Sequence, residues 1–147
     1  MTTIAYRDGI LAADGRVTDG HLILTDECKK IRRLSDGALF ALAGDDVYEE
    51  KIVEILEDMD SPLPQGKDFT AILVDTEGRL SIYSGVGDRF LPWYADFAAF
   101  GSGAEIAYGA MQMGASAEQA VVAACARNTT TGGAIQTERP GIIEIED

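Results

Sequence analysis

Histidine and cysteine are almost missing from this sequence, with one His (His21) and two Cys (Cys28, Cys125) in 147 residues. Neither cysteine lies in a Cys-x-x-Cys pair or beside the histidine, which excludes a Cys/His zinc site and leaves two reduced thiols. A single histidine, with no Gly-x-Ser-x-Gly around Ser102, gives a Ser/His/Asp triad no support. Basic charge is also scarce. Twelve Lys and Arg stand against 25 Asp and Glu, a formal net charge of -13, so the chain repels phosphate backbones and nucleic acid is excluded as a partner. No apolar run approaches the ~20 residues of a membrane span. No basic segment followed by an apolar stretch opens the chain as a secretion signal would. The expected location is cytoplasmic, away from membranes. There is no Walker motif, and Thr131-Gly132-Gly133 follows a helical stretch instead of opening one, which argues against a phosphate cradle.

What is present reads as one globular domain over 1–147, with 46% hydrophobic and 25% charged residues. Period-2 runs bounded by Asp-Gly turns predict strands over 2–6, 10–13, 21–25, 30–34 and 38–43. The period then changes. Tyr48, Ile52, Ile55, Leu56 and Met59 fall at helical spacing over 45–60, with Asp45 and Asp46 at the favoured end of the dipole. Strands over 69–75, 80–84 and 98–100 follow, then helices over 104–113 and 116–127. Ser116 and Gln119 form a capping-box pair at the start of the latter. A hairpin over 134–137 and 142–146 closes the chain. Strands, helix, strands, helices, strands imply an α+β fold of two antiparallel sheets covered by helices.

Several residues carry possible chemistry. Removal of Met1, expected before a small residue, would leave Thr2 with a hydroxyl nucleophile and an α-amine base in one residue. Such an amine titrates near ~7.7–8.0, suited to proton transfer at neutral pH. Alone, Met-Thr-Thr is an ordinary terminus. Asp14, at an Asp-Gly turn, is ordinary turn chemistry or a carboxylate that orients a lysine. Of Lys29 and Lys30, a strand turns only one inward. An inward lysine beside a threonine hydroxyl would favour its ionised form in the transition state. Ser102, between a strand and a helix, is a cap or a polar site residue.

Taken together, Thr2-Thr3-Ile4, Ala13-Asp14-Gly15 and Lys29-Lys30-Ile31-Arg32-Arg33-Leu34 closely resemble the opening of the proteasome β-subunit family, nearest its bacterial HslV-type branch. The likeness continues through Ala41-Leu42-Ala43-Gly44, Gly101-Ser102-Gly103 and Thr131-Gly132. It implies a four-layer αββα sandwich of the N-terminal-nucleophile hydrolase type, assembled as a homo-oligomeric ring. It also implies a threonine endopeptidase acting on protein or peptide fed by a separate AAA-type ATPase unfoldase. By the same resemblance Thr2 is the nucleophile, Lys30 lowers the proton affinity of its hydroxyl, and Asp14 pairs with Lys30. Ser102 lies near the terminal amine, and Thr131 is the hydroxyl of the last active-site loop. The backbone N–H of Ala41, where the family has glycine, supplies the oxyanion hole. No cofactor is required, though carbonyls of Cys125, Asn128 and Thr131 are implied as a site for a monovalent or divalent cation. Asn128 replaces an aspartate of many family members. Only one helix fits between the 38–43 strand and the next, where the family has two. Two rival readings keep the fold: a non-catalytic ring or assembly protein, and an amidase acting on small molecules.

Overall fold

The computed structural model describes residues 2–58 and 61–141. Its strands are β1 (Thr3–Arg7), β2 (Ile10–Ala13), β3 (Val17–Asp19), β4 (Leu22–Thr25), β5 (Ile31–Arg33), β6 (Leu39–Gly44), β7 (Phe69–Val74), β8 (Leu80–Tyr83), β9 (Leu91–Pro92), β10 (Phe97–Gly101) and β11 (Gln136–Glu138). The helices are α1 (Glu49–Asp58), α2 (Ala104–Gln112) and α3 (Ala117–Arg127). One sheet runs β10-β1-β2-β11, a second β5-β6-β7-β8-β9, and β3-β4 form a separate hairpin.

Strand alternation builds the layers. Ile4, Leu11 and Ala98 of the first sheet meet Leu39, Ala41, Ile72 and Val74 of the second in a core between the sheets. The opposite face of the first sheet presents Ala5, Ala12 and Ala99, small enough for α2 and α3 to pack close through Ala107, Met111, Ala120 and Val121. Phe40, Leu42, Phe69 and Tyr83 on the outer face of the second sheet meet Ile52 of α1. The order is therefore helices, sheet, sheet, helix: a four-layer αββα sandwich.

The helix expected over 45–60 begins as a 3-10 turn, Asp46–Tyr48, before α1 starts at Glu49. Asp45 caps that turn by accepting the Val47 N–H. Met59 and Asp60 lie outside the described residues, as does the expected 142–146 strand. Between β6 and β7 the described residues hold this turn and α1 and no further helix. Ser116 and Gln119 cap α3 reciprocally, at 3.1 and 3.0 Å.

Candidate active site

The site forms where β1 is gripped from both sides. Pairing of β1 with β10 sets Thr3 opposite Gly101, and pairing with β2 sets Ile4 opposite Ala13, so the loops after Gly101 and Ala13 flank the chain start. The Ser102 N–H donates to Thr2 O at 2.8 Å. Gly101 has φ +98, and a Cβ there would sit 1.7 Å from Thr2 O. Only glycine allows this approach.

Asp14 is fully buried and fully engaged. Its Oδ1 accepts from Thr3 N (3.0 Å) and Lys30 Nζ (2.8 Å). Its Oδ2 accepts from Gly132 N (3.1 Å) and Arg16 N (3.3 Å). Lys30, also buried, donates further to Arg16 O at 2.7 Å. A buried carboxylate is tolerated only when paired and hydrogen-bonded in this way. Lys30 and Thr2 line one cleft of about 300 Å³, together with Leu42, Gly44 and Glu49. Burial pushes the Glu49 carboxyl up, opposed by Arg32 and reinforced by Glu50 and Asp46.

A hydroxyl chain runs behind the terminus. The Gly103 N–H donates to Thr3 Oγ1 at 3.0 Å, and Thr3 Oγ1 lies 2.8 Å from Thr131 Oγ1. Thr131 Oγ1 donates to Asn128 Oδ1 at 2.8 Å, so the single Thr3 hydroxyl proton goes to Thr131. Ser102 Oγ and Thr130 Oγ1 also donate to Asn128 Oδ1, at 3.2 and 2.8 Å. Asn128 Nδ2 returns a bond to Ser102 O at 3.2 Å, which a carboxylate could not make. Neither Thr3 nor Thr130 was selected by sequence reasoning. Thr3 had a signal, a second threonine on the helix-facing side of β1, but its hydroxyl partners lie 100 and 128 residues away.

The structure thus gathers Asp14, Lys30, Ser102 and Thr131 around the start of the chain and leaves Ala41 apart. Leu34 N donates to Ala38 O at 2.8 Å and Asp75 N to Arg79 O at 2.9 Å. Antiparallel pairs alternate between bonded and non-bonded. With the registers Ile31↔Ala41 and Ala41↔Ile72, the amide of Ala41 therefore faces β7 and is spent in the ladder. The same alternation turns the Gly44 amide away from β7. Gly44 borders the 300 Å³ cleft and a second, open cavity of about 490 Å³ that also contains Thr2, Thr70 and Ser102.

Cys125, Asn128 and Thr131 lie at the end of α3 and in the loop after it. The Asn128 carbonyl accepts Thr131 N at 3.3 Å. Among the described residues no three His, Cys, Asp or Glu side chains gather to hold a metal. Burial pushes the Cys125 thiol up, and the nearby Asp14 charge adds to the shift.

No protein-family model matches the chain. The structure of Thiobacillus denitrificans BPH in complex with epoxomicin superposes with a TM-score of 0.67, covering 96% of this chain and 99% of that one at 16% identity. A second Thiobacillus denitrificans BPH structure gives a TM-score of 0.67, covering 93% and 95% at 19% identity. The fold is that of the proteasome-type N-terminal-nucleophile hydrolases. The ATP-dependent protease subunit HslV of Borrelia turicatae (strain 91E135) is 32% identical over 135 residues, covering 74% of this chain and 74% of the relative. The chain belongs to the HslV family of proteasome-like peptidases.

Proposed function

We propose that this chain is a threonine endopeptidase whose nucleophile is Thr2, exposed by removal of Met1. The observation that carries the reading is the shared cleft of Thr2 and Lys30, with Lys30 locked on the buried Asp14 at 2.8 Å. The Thr2 hydroxyl attacks the scissile carbonyl and its proton passes to the α-amine. The carbonyl oxygen, now negative, meets the Gly44 N–H, which we assign as oxyanion donor in place of Ala41. The tetrahedral species collapses to an ester on Thr2, and the α-ammonium protonates the departing amine. Water, deprotonated by the α-amine, then hydrolyses the ester and restores the free threonine. Lys30 stabilises the ionised hydroxyl as the proton leaves, Asp14 fixes Lys30, and the Ser102–Asn128–Thr131 network orients the terminus. A cation on the carbonyls of Cys125, Asn128 and Thr131 would stiffen this loop, and no step is routed through it.

The HslV relative is named as a subunit of an ATP-dependent protease. By that likeness we propose a homo-oligomeric ring in the cytoplasm, fed by an ATPase on a separate chain. No helix among the described residues is long and apolar enough to cross a membrane. The expected outcome is that protein of the mass lacking Met1 cleaves a peptide amide, and that Thr2→Ala lowers the rate at least ~10³-fold. Full activity in Thr2→Ala sinks the mechanism. That the described residues between β6 and β7 hold one α-helix favours a second reading, a non-catalytic assembly protein. Intact mass separates the two, since a chain that keeps Met1 has no threonine amine to act as base.

A further inference from the structure

The cleft beside Thr2 is unevenly charged. Its apolar stretch comes from Leu42 and Val17. Two of its lining cations are matched, Lys30 by Asp14 and Arg16 by Asp26, each at 2.8 Å. Lys29 is exposed at the rim. Three carboxylates at the entry to α1 line the cleft as well: Asp45, Asp46 and Glu49. Arg32, close enough to act on Glu49, is held by Glu50. Glu49 is half-buried in a cleft that also contains the nucleophile, its carboxyl held up mainly by burial with Arg32 opposing and Glu50 and Asp46 adding, and a cation entering the cleft would give it a direct partner.

We propose that this cleft receives the side chain on the acyl side of the scissile bond and selects lysine or arginine. This rests on Thr2 being the nucleophile. Gly44 and Lys30 both border the cleft, so a carbonyl attacked by Thr2 with its oxygen at the Gly44 N–H hangs its own side chain there. The open cavity with Ser102 also borders Thr2 and Gly44 but has neither Lys30 nor Glu49, and it is left for the leaving side. The methylene stem of the basic residue covers Leu42 and Val17 and its charged end meets Glu49 and Asp46. An acidic side chain would face three carboxylates. A leucine would desolvate Glu49 without giving it a partner.

The test is a set of peptide amides identical except for lysine, leucine or glutamate at the acyl-side position. With protein lacking Met1, kcat/KM for the lysine peptide is expected about tenfold above leucine and about a hundredfold above glutamate. In Glu49→Gln/Asp46→Asn the lysine-to-leucine ratio falls toward one. Because the ratio is taken within one variant, partial loss of folded protein does not affect it. Equal rates for lysine and leucine, or an unchanged ratio in the double variant, overturn the assignment. Calorimetric binding of the same peptides to Thr2→Ala reads the pocket without turnover. A lysine preference there without cleavage by the wild type removes the peptidase reading and leaves the pocket standing, whereas equal affinities overturn the pocket.

Discussion

The Thr3 hydroxyl has one proton and two partners, accepting from the Gly103 N–H at 3.0 Å and donating to Thr131 Oγ1 at 2.8 Å. Its backbone N–H goes to Asp14. Gly103 makes room, since a Cβ there would lie 2.3 Å from Thr3 Oγ1. Thr3 therefore fixes the position of Thr2 along β1 from two directions without touching a substrate. Thr3→Val keeps the shape but leaves the buried Gly103 N–H and Thr131 hydroxyl a partner short, at a cost of about 1–3 kcal/mol. We expect kcat to fall ~10–100-fold with KM nearly unchanged, because a misplaced nucleophile reacts slowly while the cleft stays intact. Thr3→Ser restores the hydroxyl and should recover most of kcat. Wild-type kcat in Thr3→Val, measured alongside thermal unfolding, would show that the hydroxyl does not position the terminus.

At the scale of elements, Asp75 organises the β7–β8 turn. Burial raises its carboxyl, but the bonds from Arg79 and Glu77 outweigh this and hold it below the ordinary 3.8. The N–H groups of Glu77 and Arg79 both reach Oδ1 at 2.9 Å. With the native carboxyl titrating lower than the unfolded one, the contribution is complete above pH ~4 and fades as pH falls through the lowered value. Asp75→Ala should cost about 1 kcal/mol at pH 7, a figure held down by solvent because the carboxylate is 39% exposed. Its melting temperature should drop less than that of wild type between pH 5 and 3. Parallel acid curves would refute the role. Turns of this kind were legible in the sequence, because Asp-Gly and capping-box pairs act within a few residues. So were most strands and the three helices, through their apolar period. The strands β3 and β9 were not, and β9 has only two residues. The hairpin of β3 and β4 is tied from its flanks, by Arg16 on Asp26 and by Ala134 N to Asp26 O at 2.8 Å. The resemblance pointed to Ala41 where we assign Gly44, because the direction of a strand amide depends on ladder phase, which the hairpin ends set.

At the scale of the whole molecule, three consecutive exposed apolar residues stand out among the described residues. Leu22, Ile23 and Leu24 are 62%, 47% and 57% exposed along β4, on a hairpin joined to neither large sheet. Edge strands with apolar side chains invite pairing with another chain. Against this stands a net charge of -13, which makes identical subunits repel one another. If the ring proposed above forms, β4 is the surface whose burial drives it, and the charge sets its ionic-strength dependence. Replacing Leu22, Ile23 and Leu24 together by serine removes apolar area without disturbing any of the buried clusters. Light scattering should then report a mass near 15.7 kDa for the variant and a multiple of it for the parent chain. Salt at ~0.5 M, which shortens the Debye length to a few ångströms, should strengthen the parent assembly by damping subunit repulsion and should not rescue the variant. A parent chain that is monomeric at both salt concentrations would remove the ring. A variant that assembles as the parent does would place the driving surface elsewhere.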